Sequence, residues 1–226
     1  MFGILEQTIE WKLWGWNLAT LTFLFTVLFT LIDGWGYKKQ SETIWEKESA
    51  ESVSVIVFFY SASVCYSYTI YSVFIGSVAV LFNGLVLGYN IFFLVWGILK
   101  FKNLTVTEKI LCTLFSPMIL AMLFLPWKDG MFFIFMMGGM FSLVTQPLEM
   151  WRNKSAGAVD IRAMTVFTLG VFFWSAYGFA IEKLAIAIPS MIALVLYGLI
   201  TLLWFKYQKE PLTFEKFLLL FCQRKN

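Results

Sequence analysis

Two asparagines, Asn83 and Asn90, stand in a run from Ser52 to Leu99 that carries no charged residue. They lie two helical turns apart and return to nearly the same helix face. A carboxamide among apolar side chains needs a partner: it either donates to hydroxyls or carbonyls of a bound solute, or joins one helix to another. Asp33 is the one acid set deep in an apolar stretch, and a carboxylate inside a bilayer marks a functional site by default. Lys38 and Lys39 follow it by about one and a half turns and are placed to pair with it. The chain has no histidine, which removes histidine-based metal sites, proton relays and catalytic triads. Cys65, Cys112 and Cys222 show no metal-ligand spacing. The spans contain no paired acids or nucleophile constellation, and no nucleotide-binding loop is present. No enzyme activity, metal or cofactor is expected.

These polar groups belong to a chain that is 60% hydrophobic and 14% charged, too apolar for a soluble domain of 226 residues. Residues 13–32, 110–127, 130–148, 163–181 and 184–205 carry no charge. Each matches the roughly 20 residues that cross a bilayer as a helix. The run 52–99 is too long for one span and must fold back near Gly76-Ser77. The expectation is an all-α transmembrane fold of seven helices; the alternating ten-residue segments of a membrane β-barrel are absent. Fourteen of the 17 Lys and Arg residues fall on one side of this arrangement and three, Lys12, Lys128 and Lys183, on the other. The basic side belongs in the cytoplasm. The N-terminus is therefore external and the C-terminus cytoplasmic, in a plasma membrane or a bacterial inner membrane. The formal charge of +3 reports topology and not nucleic-acid binding. Trp11, Trp14 and Trp16 suit the outer interface.

The chain also repeats itself. Gln40, Trp45, Ser49, Ala50 and Val53 recur 106 residues later as Gln146, Trp151, Ser155, Ala156 and Val159, and Tyr71 recurs as Tyr177. One residue out of that register, Phe82-Asn83 lies opposite Pro189-Ser190. Each half holds three helices, at 13–38, 54–73 and 77–99, then at 130–149, 161–181 and 185–207. A lone helix at 109–127 between the triplets makes both run in the same direction, a parallel 3+1+3 duplication of three-helix bundles. The units are a first triplet over 1–103, a linker helix over 104–128, a second triplet over 129–208 and a cytoplasmic interfacial tail over 209–226.

Gln146, Trp151 and Lys154-Ser155-Ala156-Gly157, with Trp174, Tyr177-Gly178 and Pro189-Ser190 downstream, resemble the PQ-loop superfamily, which holds SWEET and SemiSWEET sugar transporters and cystinosin-like carriers. Tyr68, Tyr71-Ser72 and Phe82-Asn83 are the more diverged counterparts in the first half. The resemblance implies a SWEET-like carrier with a pocket at Asn83, Trp174, Ser190 and Tyr68, and with gating at Gln40, Gln146 and Pro147. Lys39 and Thr145 stand where the family's name-giving prolines would be. Asn90 stays the interhelical alternative to a pocket residue. Tyr71 and Tyr177 are expected to pack near the outer ends. The implied ligand is a small polar solute such as a sugar, moved by alternating access between the bundles. The chain's partners are that solute and the lipid bilayer, with homo-oligomer formation left open. Two further readings remain: a proton-coupled cystinosin-like carrier using Asp33, and a non-transporting receptor or accessory protein on the same scaffold. The residue opposite Asp33 in the repeat is Gly139, so the halves share no acid, and the facilitator reading is preferred.

Topology reporters fused after Lys39, Lys102, Lys154 and Arg224 should read as cytoplasmic, and those near Lys128 and Lys183 as external. An external signal from the fusion after Lys102 would overturn the helix count.

Overall fold

The computed structural model describes residues 6–50, 55–154 and 161–207, and the interfacial tail expected over 209–226 lies outside them. Nine helices form among these residues. They are α1 (Ile9–Lys12), α2 (Leu18–Lys47), α3 (Val55–Ile75), α4 (Val78–Phe101), α5 (Val106–Phe115), α6 (Pro117–Phe124), α7 (Lys128–Asn153), α8 (Ile161–Ala180) and α9 (Leu184–Tyr207). The count exceeds the expected seven for two local reasons. Thr8 caps an unforeseen turn of helix, α1, by accepting from the Trp11 amide. The linker is split at Ser116-Pro117, because proline has no N–H to continue the ladder.

Local chemistry fixes the other boundaries. The Asn17 side chain accepts from the Thr20 amide and starts α2. Thr105 and Glu108 form a reciprocal capping box at α5. The four left-handed residues among the described ones fall in two pairs 106 positions apart: Glu48 and Lys154 end α2 and α7, Gly76 and Glu182 end α3 and α8. After α3 and α8 the chain closes the same Schellman turn. The Ser77 amide donates to Ser72 O at 3.0 Å, and the Lys183 amide to Gly178 O at 2.8 Å.

In each triplet the third helix packs between the other two: α4 touches both α2 and α3, and α9 touches both α7 and α8. The halves meet where α2 lies on α8 and α3 on α7, while α5 and α6 run along α3. A core that includes Tyr71, Val80, Phe132, Trp174, Tyr177 and Ile186 draws on both halves at one end of the molecule. At the other end Ile44, Val55, Ile91, Leu94 and Ile98 form a core belonging to the first half.

Polarity is arranged for a bilayer. On α2, Leu21, Leu24, Leu28, Leu31 and Trp35 face outward, while Thr22, Thr26 and Thr30 are buried on the opposite face. In water that order would be reversed. Among the described residues five helical stretches are long and apolar enough to cross a membrane: α2, α3, α4, α9 and the α5–α6 pair taken together. The apolar part of α8, Met164–Ala180, is shorter. The chain is an integral, multi-pass membrane protein.

Glu182 adopts φ 58, where an L side chain is strained by roughly 1–2 kcal/mol, while its repeat counterpart is glycine. Replacing it with Gly relieves that strain at some entropic cost. Glu182→Gly should therefore stabilise by up to about 1 kcal/mol, read as a raised melting temperature in detergent.

Candidate functional site

The seam between the halves brings polar and aromatic groups together inside the protein. From α2 come Thr22, Thr26 and Thr30, one per turn, with Asp33 in the turn after. The Thr22 and Thr26 hydroxyls donate to their own helix, to Leu18 O and Phe23 O, both at 2.7 Å. Thr30 instead accepts from Asn83 Nδ2 of α4 at 3.0 Å, and Asn83 is only 4% exposed. Across the seam, Gly170 of α8 faces Phe29 and Asp33, which a Cβ there would meet at 3.7 Å and 3.9 Å, ordinary contact distances. Phe173 stacks on Phe25 with ring centroids 4.3 Å apart. One turn beyond Gly170, the buried Trp174 meets Tyr68 of α3 at 6.1 Å between centroids. These two residues are 106 positions apart in sequence.

Asp33 Oδ1 is buried and receives no hydrogen bond. The expected partner Lys38 is exposed, and the side chain of Lys39 lies outside the described residues. Asn90 donates back to Val86 O of its own helix at 2.7 Å and lies beside Gly34. Ser190 is buried in α9, one turn after Ala187. At Ala187 the chain packs on Gly178 so closely that a Cβ at 178 would sit 2.6 Å from the Ala187 nitrogen. Gln40 is exposed within α2 and Pro147 is buried within α7. The side chain of Gln146 is outside the described residues. Both glutamines thus lie in helices and not in loops, because α2 and α7 extend to Lys47 and Asn153. Among the described residues no group of three Cys, Asp or Glu side chains is placed to hold a metal ion.

One mouth of the seam is fastened by two tyrosine–carboxylate contacts that cross between the halves. Tyr177 of α8 donates to Glu10 Oε1 of α1. The same oxygen accepts from Ser77 Oγ at 2.6 Å and the Ala79 amide at 3.0 Å, and Oε2 accepts from the Val78 amide at 2.9 Å. Glu10 therefore sits on the positive N-terminal end of α4, where unsatisfied amides favour an anion. The Ile9 amide donates to Gly76 O at 2.9 Å and holds this short helix in place. At the second contact, Tyr71 of α3 donates to Asp129 in the first turn of α7. Its ring stacks on Phe132 with centroids 4.2 Å apart.

Both tyrosines were marked in the sequence by their 106-residue spacing and expected only to pack. They are fully buried and bonded. Glu10, Ser77, Asp129 and Thr30 gave no such signal. The two acids are 119 positions apart, so aligning the repeats does not pair them.

No protein-family model matches the chain, and no curated protein does. A solved structure does: a eukaryotic SWEET transporter determined at 3.7 Å resolution, at TM-score 0.71 and 14% identity, covering 85% of this chain and 98% of that one. The chain has the SWEET fold.

Glu10→Ala would leave two α4 amides without their acceptor, and the Tyr177 and Ser77 hydroxyls, 2.8 Å apart, with only each other as acceptors. The loss should cost about 1–3 kcal/mol, read as a lowered melting temperature, with Glu10→Gln milder because one oxygen remains. An unchanged Glu10→Ala would show that the contact carries no load.

Proposed function

We propose that this protein is a carrier for a small polar solute, with sugars the leading class, working by alternating access between two parallel three-helix bundles. On this reading the helices make up a 3+1+3 duplication, with α5–α6 as linker. Supporting it are the third-helix-central packing of each triplet, the reciprocal α2–α8 and α3–α7 contacts, and the left-handed residues paired at 106 positions. The observation that carries the transport reading is the buried polar row of α2 with Asn83, set beside a seam lined by Trp174 and Tyr68. Aromatic faces suit the C–H faces of a sugar ring, and the carboxamide and hydroxyls suit its hydroxyl groups. The name of the matching structure, a SWEET transporter, agrees with this class of ligand.

With the lysine-rich loops in the cytoplasm, the mouth fastened by Glu10–Tyr177 and Asp129–Tyr71 is external, and this conformation is closed to the outside. Outward opening must break both contacts and part the core around Phe132 and Trp174. Since each contact joins opposite halves, the two release together as the bundles rock. Asn83 would exchange Thr30 for solute hydroxyls when the pocket fills, so the vacant carrier leaves no carboxamide unpaired.

Purified protein in liposomes should equilibrate radiolabelled sugar across the bilayer. Asn83→Ala should raise the half-saturation concentration by about two- to tenfold, the worth of one neutral hydrogen bond, with Trp174→Ala acting in the same direction. Loss of thermal stability with unchanged affinity in both variants would return these residues to a packing role. Absence of any solute flux, with ligand-dependent stabilisation retained, would favour a receptor on the same scaffold.

Proton coupling is favoured by one observation, the buried Asp33 oxygen that has no hydrogen-bond partner. Against it, the second half offers Gly139 at the matching position, so a symmetric relay is not built. The expected result is that Asp33→Asn leaves net flux largely intact and that an imposed pH gradient does not concentrate solute. Uphill accumulation abolished by Asp33→Asn would make the carrier proton-coupled.

A further inference from the structure

Away from the seam, α3, α4 and the α5–α6 pair surround an open groove of about 410 Å³. Ala62, Phe92, Trp96 and Ile119 contribute to its walls. Its hydroxyls are already committed. Ser63 donates to Phe59 O at 3.0 Å, Ser116 to Cys112 O at 3.1 Å, and Tyr66 to Gly88 O at 3.4 Å. With its hydroxyls donating to backbone carbonyls and the rest of the walls apolar, the surface suits hydrocarbon. The groove lies where both pieces of the linker rest on α3 and not on α4. The facing side of α4 stays uncovered, with Phe92 and Trp96 each 50% exposed.

Both walls run to lysine at the same end. On α4, Phe92, Trp96 and Lys100 are successive i, i+4 positions on one face; on α5, Ser116, Cys112 and Lys109 likewise share a face. The short connection from Lys102 to Thr105 brings these two helix ends together. Lys100 and Lys109 are exposed. The Lys100 ammonium lies 4.7 Å from the centre of the Trp45 ring. That ring packs 5.4 Å from Trp96 in the groove wall. Lys102 is paired with Glu108 at 2.9 Å, the one acid among three lysines in residues 100–109. An apolar trough that opens toward clustered ammonium groups at a membrane surface is complementary to a lipid with a negative headgroup.

We propose that this groove binds an anionic phospholipid, with an acyl chain along Ala62, Phe92, Trp96 and Ile119 and the phosphate head between Lys100 and Lys109. The site is separate from the solute pathway and rests only on the chain's being embedded in a membrane. A bound lipid would fill the gap between α4 and the linker and tie α5–α6 to the first bundle.

The test compares phosphatidylglycerol with phosphatidylcholine of identical acyl chains. Each is titrated into the purified full-length protein in detergent, and retained lipid is counted by native mass spectrometry. The wild type should hold phosphatidylglycerol about tenfold more tightly, the contribution of one to two lysines near a lipid surface. Lys100→Gln combined with Lys109→Gln should remove that preference, and Ile119→Trp, which fills the trough, should weaken both lipids. Equal retention of the two lipids by the wild type would overturn the proposal. So would a preference that survives the double lysine variant or is indifferent to Ile119→Trp. A dimer that dissociates on Ile119→Trp would mean that a second copy of the chain covers the groove, and would overturn it too.

Discussion

Hydrocarbon offers a helix no hydrogen-bond partner, and the long helix α2 shows how the protein meets that demand. Its leucines turn outward to lipid, while its threonines turn inward and close on their own carbonyls or on Asn83. Any polar group left over must find its partner across a helix–helix seam, because nothing outside can supply one. The polar interior therefore lies along the boundary between the halves. Asn83 is the plainest case: a buried carboxamide whose Nδ2 donates to a threonine hydroxyl on another helix.

The same demand shapes the mouth closed by Glu10. A carboxylate as buried as Glu10 is costly unless several donors surround it. It receives four: the amides of Val78 and Ala79 and the hydroxyls of Ser77 and Tyr177. Three of these belong to the first half and one to the second, so the carboxylate is anchored on one bundle, and Tyr177, which also lies 2.8 Å from Ser77 Oγ, ties the other bundle to it. Asp129 and Tyr71 reverse the assignment, with the acid on the second bundle and the tyrosine on the first. Two contacts of opposite sense share the load across a seam whose core is otherwise apolar. The first-half core at the far end does not bind the bundles together in that way.

Much of this was legible in the residues alone. Charge-free stretches separated by lysine-rich loops announced membrane helices, because the bilayer imposes one length and one composition on every span. The turn at Gly76-Ser77 could be read from the excess length of the run 52–99, and it appears where expected. The identities at 106 positions named Tyr71 and Tyr177, and the likeness carried by Trp174 and Tyr177-Gly178 pointed to the SWEET fold that the structural match shows. These are properties of single segments or of residues at fixed spacing, which local physics dictates.

What the tertiary structure alone decided are the pairings between segments far apart in the chain. The sequence placed Asp33 beside Lys38; folding buried its Oδ1 with no hydrogen bond, because a helix neighbour in sequence can still point toward another face. It ended the first helix at 38 and left Gln40 beyond it; Gln40 lies within α2, which runs on to Lys47, and α7 likewise continues past Pro147 to Asn153. Glu10 looked like one more acid in a polar N-terminus. It becomes a fastening only because α1 is laid over the end of α4 and within reach of a tyrosine 167 residues away. Composition and spacing determine which segments enter the membrane, since each meets the solvent on its own. The partner each polar group takes there depends on the packing of all the helices at once.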